Sequence, residues 1–195
     1  MRKIIHFLLG IWHWAWGHLF LVLLFDRNIA TARYFTNKYH GIGAEGWKWI
    51  NAAAYAKIFK DKNWTSSYPI GPHCQVIVPE NIRFNIDDLN IFQTRGCYFQ
   101  AIGQITIGKG TWIAANVGII TANHDFYDLS HHSAPKPVCI GDNCWIGMNS
   151  MILPGVQLGD RTIVGAGSIV TKSFPEGNCV IAGNPAKLIK QLENE

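Results

Sequence analysis

The chain has 195 residues and a formal charge of +4, enough length for one ordinary domain plus an appendage. Its Lys and Arg never form a run longer than the Arg2-Lys3 pair, which argues against a nucleic-acid binder. Its five cysteines are odd in number and lack CxxC spacing, which argues against a disulfide framework or zinc knuckle and fits reduced thiols in a cytoplasmic setting.

From Ile4 to Phe25 the chain carries no Asp, Glu, Lys or Arg. As a helix this stretch would reach roughly 33 Å, enough to cross a bilayer. His6, Gly10, His13 and Gly17 fall on one stripe that suits packing against another helix, and Trp12, Trp14 and Trp16 suit a membrane interface. Residues 4–25 are therefore expected to contact a membrane; a helix buried against the rest of the chain and a cleaved signal peptide are the alternatives. A second helix is expected from Ala44 to Phe59, with Trp47, Ile50, Ala54 and Ile58 on one face and Lys48, Lys57 and Lys60 elsewhere. It could lie on a membrane surface or cap the domain that follows.

That domain is a repeat. Ile107, Ile113 and Ile119 stand six apart, and so do Ile140, Ile146, Ile152, Leu158, Val164 and Val170. Glycine follows the aliphatic residue in four of the six later units, and the fifth position is small in five of them. A period of six describes short strands broken at regular corners, each sending a large and then a small side chain into a narrow core. Ile70, Val76 and Ile82 share the spacing and begin the stack, while the register of residues 83–101 is not legible. If three units close a triangular turn, the first run supplies one turn ending at His124. A polar, aromatic excursion with two prolines then leaves the coil before two further turns.

The repeats, the stretch Thr121-Ala122-Asn123-His124-Asp125, the return KPVCIGDNCWIG and the terminal AGNPAKLI together resemble the hexapeptide-repeat acyltransferases. The nearest branch is that of the galactoside, maltose and nodulation-factor O-acetyltransferases and their relatives in capsule and lipopolysaccharide clusters. The resemblance runs from about Cys97 to Leu192. It implies a mainly β fold, a left-handed parallel β-helix of hexapeptide repeats, here with an N-terminal α-helical segment. The expected organisation is a helical segment over 1–64, a β-helix over 65–186 with the excursion at 125–138, and a helical tail over 187–195.

The resemblance further implies a homotrimer with active sites between subunits, acetyl-CoA as co-substrate and no metal. His124 matches the catalytic histidine. Imidazole titrates near neutrality and can take a proton from an attacking hydroxyl. Trp145 is expected to line the cleft for acceptor and pantetheine, with Gly147, Ala166, Thr171 and Lys172 along the pantetheine arm. Lys187 and Lys190 would meet the CoA phosphates. Asn116, Asn123 and Asp125 are candidate acceptor contacts, although corner and positioning roles are open to all three. The acidic N-terminal region of the sugar acetyltransferases has no match here, and Lys in place of Arg at the terminal positions keeps charge but loses the planar fork.

The expected function is O-acetyl transfer from acetyl-CoA to a glycan or lipid-linked sugar at the cytoplasmic face of a membrane. Alternatives are N-acetylation of an amino sugar, acetylation of serine or a xenobiotic, and a non-catalytic trimeric scaffold. A metal enzyme of the γ-carbonic anhydrase type is disfavoured, because His131 and His132 lie in an irregular excursion seven and eight residues beyond His124.

Overall fold

A computed structural model describes residues 2–36, 41–60 and 63–193. The N-terminal stretch is a helix, α1 (Arg2–Leu24), and the second helix is α2 (Glu45–Lys60). They pack along the stripe of small and polar residues expected from the sequence. A methyl added at Gly17 would lie 2.9 Å from the Trp47 ring, and one at Gly10 would lie 3.0 Å from Ile42. The Asn51 amide donates to the His13 carbonyl at 2.9 Å and so ties the helices together.

Trp47, Ile50 and Ala54 of α2 are buried as expected, whereas Ile58 is exposed. Lys57, expected away from the packed face, is buried instead. Its ammonium donates to the carbonyls of Leu24, Trp64 and Ser66 and lies 4.6 Å from the centre of the Phe25 ring. All three of its protons are used, so the lysine ties the end of α1 to the loop that enters the repeat. Burial lowers its pKa, and the three carbonyls hold the charged form in place.

The repeat forms a triangular coil. Its strands in chain order are β1 (Gln75–Ile77), β2 (Ile82–Arg83), β3 (Tyr98–Gln100), β4 (Ile105–Ile107), β5 (Trp112–Ile113), β6 (Gly118–Ile120) and β7 (Val138–Ile140). They continue as β8 (Trp145–Ile146), β9 (Met151–Ile152), β10 (Gln157–Leu158), β11 (Thr162–Val164), β12 (Ile169–Val170), β13 (Cys179–Gly183) and β14 (Ala186–Gln191). The first face is β1-β3-β6-β9-β12, the second β2-β4-β7-β10 and the third β5-β8-β11-β13-β14. All neighbours are parallel except β13 and β14.

Ile70, Val76 and Ile82 are buried, and the last two begin the first and second faces. Where the register was illegible, a 3-10 segment (Ile86–Phe92) stands in the chain between β2 and β3. Buried Asp88 joins it to both sides. Its carboxylate lies 3.2 Å from the Arg33 guanidinium and accepts the Gly110 N–H at 2.7 Å.

Ile140, Ile146, Ile152, Leu158, Val164 and Val170 are all 3% exposed or less. The small fifth positions Cys144, Ser150, Val156, Thr162 and Ser168 are buried beside them. Where glycine follows the aliphatic residue, it answers a close approach between coils. A methyl on Gly141 would overlap the Asp160 carboxylate, which accepts the Asp142 N–H at 2.7 Å. One coil earlier Gly108 and Asp142 repeat the arrangement, with the Lys109 N–H donating at 2.7 Å. Each aspartate thus satisfies a backbone donor of the neighbouring turn, and only glycine leaves it room.

Two boundaries differ from expectation. The excursion ends at Pro137, because Val138 already pairs with Ile105 in the second face. The tail expected to be helical from 187 is an antiparallel strand through Gln191, and residues 194 and 195 lie outside the described residues. A helix would leave the outer edge of β13 without partners; a returning strand satisfies it.

Candidate active site

The coil breaks between β6 and β7, at the corner of the first and second faces. Ile107 pairs with Ile140, thirty-three residues on, whereas Ile140 pairs with Leu158, eighteen residues on; the surplus is the excursion. The excursion folds back on its own base. The Lys136 N–H donates to the Thr121 carbonyl at 2.7 Å, Ser133 to Asn123 at 2.9 Å and Asp125 to His131 at 2.9 Å. His124 and His132 face each other across this short antiparallel pairing.

His124 is solvent-exposed, and its Nδ1 lies 2.8 Å from the Leu129 carbonyl oxygen. A carbonyl can only accept, so Nδ1 carries the hydrogen and Nε2 keeps its lone pair. The ring that could act as a base is therefore held in the tautomer a base requires. Asp125, a candidate acceptor contact with a corner role also open to it, accepts the backbone N–H groups of Tyr127 and Asp128 at 2.8 and 3.2 Å and shapes the loop. Asn123 is exposed beside the histidine and contributes its carbonyl to the hairpin. Asn116 lies at the corner of the third and first faces with φ +59°, and its amide donates to Asn149 one coil on at 3.0 Å. That amide serves the corner.

The other expected residues fall into two groups. Thr171 and Lys172 share the corner of His124, two coils further along, about 10 Å at the spacing of neighbouring strands. The Lys172 ammonium sits 5.5 Å from the Phe174 ring centre. Trp145 stands on the third face, 55% exposed, in register with Trp112, which is 58% exposed. The sequence reading missed Trp112, although it holds the same sixth position in IGKGTW that Trp145 holds in IGDNCW. Gly147 and Ala166 lie where the third face turns into the first, with exposed Gly167 open to solvent. Lys187 and Lys190 project from β14 at the edge of the third face.

A corner of a triangular prism faces away from the opposite side, so one chain does not bring His124 and Trp145 together. The sequence reading also missed the Leu129 carbonyl, which no side-chain letter could signal. Burial raises the pKa of Cys74, Cys97, Cys144 and Cys179, which disfavours the thiolate at those four positions.

A cavity of 370 Å³, lined by residues that include His73 and Arg95, lies one and two coils toward the N-terminus, at the entry to the first face.

Residues 140–172 match the model of the bacterial transferase hexapeptide family, described as six repeats. A protein of Schizosaccharomyces pombe named as a candidate acetyltransferase is 39% identical over 107 residues, 53% of this chain and 51% of its own length. This chain thus spans about half the length of the curated relatives it matches. A maltose O-acetyltransferase structure from Clostridium difficile is 40% identical, with 58% of this chain and 57% of that chain covered and a TM-score of 0.47. A hexapeptide-repeat acetyltransferase of Vibrio cholerae, solved with acetyl coenzyme A, is 27% identical over 63% of this chain and 66% of its own, with a TM-score of 0.53. The coil shared with that structure is the left-handed parallel β-helix.

Proposed function

We propose that this chain moves acetyl from acetyl-CoA to a hydroxyl of a glycan or lipid-linked sugar, with His124 as general base. The observation that carries this reading is the fixed tautomer: Nδ1–H is committed to the Leu129 carbonyl, and Nε2 is left free at the base of the excursion. His124 takes the proton of the acceptor hydroxyl as that oxygen attacks the thioester carbonyl, then returns it to the departing sulfur. The residues present fit the donor. Ala166 and Gly167 form an open ledge for a slender arm, and the exposed Lys172, Lys187 and Lys190 suit phosphates. The Vibrio relative solved with acetyl coenzyme A supports the choice of donor.

The split between His124 on one side and Trp145, Gly147 and Ala166 on the other supports an assembly in which the corner of one copy meets the third face of the next. One chain presents these surfaces on opposite sides, so a single partner cannot satisfy both. A closed ring of copies can, and the homotrimer expected from the family resemblance is such a ring.

An acceptor screen with acetyl-CoA tests the activity. Release of CoA thiol is expected with sugars bearing free hydroxyls and no amine. Transfer confined to amino sugars would replace the reading with N-acetylation, and absence of CoA binding would favour a scaffold.

The proposed setting is the cytoplasmic face of a membrane, contacted through residues 4–25. Support comes from the distribution of exposed side chains on α1. Ile4, Phe7, Leu8, Leu9, Ile11, Trp12, Trp14, Trp16, Leu19, Val22 and Leu23 are exposed and, at about 100° per residue, spread over about 220° of the helix. Its polar and small stripe is already spent on α2. A protein partner would cover one side, whereas a bilayer covers all of them.

The doubly charged variant L8D/V22D should float with phosphatidylcholine vesicles at least about 100-fold less than wild type, with an unchanged thermal midpoint, since a charge in the bilayer costs about 3 kcal/mol. Equal flotation, or full recovery of wild type in the soluble fraction, would reject membrane contact.

A further inference from the structure

We infer that His132 is a positioning residue that holds the His124 ring in its working orientation. This rests on the reading of His124 as base. The two imidazoles stack with centroids 4.4 Å apart and planes 29° from parallel. Their backbones pair directly across the base of the excursion, flanked by Ser133 donating to the Asn123 carbonyl and Asp125 donating to the His131 carbonyl, each at 2.9 Å.

An exposed histidine would otherwise sample several rotamers. The Leu129 carbonyl fixes which nitrogen carries the hydrogen and how the ring is turned. The face of His132 limits its tilt. Two restraints at right angles, one in the ring plane and one across it, leave Nε2 with a single direction. Both are supplied by the excursion, so the loop that interrupts the coil is also the clamp on its base.

The adjacent His131 is used differently. Its Nδ1 meets the Asp128 carboxylate at 2.7 Å and the Ser130 hydroxyl at 3.1 Å, and its backbone N–H returns to the Asp128 carbonyl at 3.1 Å. One histidine of the pair closes the loop tip; the other meets the ring.

The test compares His132→Ala with His132→Phe in the full chain. Misplacement of a reacting group by about 1 Å costs about 100-fold. His132→Ala should therefore lower kcat by about 10- to 100-fold, with the KM for acetyl-CoA within about twofold. His132→Phe keeps a flat ring of similar size and should recover kcat to within about threefold. An unimpaired alanine variant, or a phenylalanine variant as poor as alanine, would overturn the proposal. Nitrogen-15 NMR of labelled histidines supplies a readout independent of turnover: His124 should report the Nδ1–H tautomer in wild type and His132→Phe, and a mixture in His132→Ala, where a ring free to tilt leaves the Leu129 carbonyl. A ring equally fixed in the alanine variant rejects the positioning role whether or not acetyl transfer is detected. A ring fixed in wild type and loosened in His132→Ala, together with full activity of His124→Ala, rejects the base alone.

Discussion

Replacing His124 with alanine is expected to lower kcat for acetyl transfer by about 100- to 10,000-fold, the range that a positioned general base contributes. The KM for acetyl-CoA should stay within about threefold, because the residues expected to hold the donor lie on another face or two coils away. An alcohol near neutral pH is a weak nucleophile, and its oxygen must shed a proton as it attacks. Only a lone pair aimed at that proton helps, and His124 keeps one at Nε2 because Leu129 takes the hydrogen of Nδ1. The ring is exposed and no core residue leans on it, so the folded variant should keep the wild-type thermal midpoint. CoA thiol release, followed with a saturating acceptor from the screen, measures the effect. Turnover within threefold of wild type would remove His124 from the chemistry.

The second large effect is a recovery. His124→Ala disables the corner of the first and second faces, and Ala166→Trp blocks the ledge at the corner of the third and first. Each variant alone should be nearly inactive. In a head-to-tail ring every site takes one wall from each of two neighbours. Mixing the two variants in equal amounts, with denaturation and reassembly, should therefore create intact sites at about one in four by random pairing. Activity should rise from near zero to about a quarter of wild type. The same mixture would stay inactive if each chain built its own site, because every chain would then carry a defect. Sedimentation of the mixture checks that the assembly has reformed. An absence of recovery in correctly sized assemblies would defeat the composite site.

Much of the coil was legible because a period of six admits few alternatives. Ile140 through Val170 had to share an environment, and Cys144, Ser150, Thr162 and Ser168 had to be small enough to sit between them; all are buried. The glycines also carried a message, since Gly108 and Gly141 sit where a neighbouring aspartate needs the space. The stripe from Gly10 to Gly17 announced a close contact, and Ile42 together with Trp47 of α2 fills it.

Less legible were the features made by backbone atoms or by distant partners. Lys57 looked like a surface lysine on a helical wheel, and its three carbonyl partners come from segments the wheel does not contain. The terminal strand lacked a signal of its own, because its reason for forming is the open edge of β13.

By itself, the sequence determined the repeat, the place of its interruption and the histidine at that place. These follow from side-chain size and spacing, which are properties of letters along a line. Only the tertiary structure decided that the excursion returns to clamp that histidine through the Leu129 carbonyl and the His132 ring. It alone decided that His124 and Trp145 look away from each other across a triangular prism. Orientation and opposition arise when the chain closes on itself, because they depend on hydrogen bonds and faces that no single segment possesses.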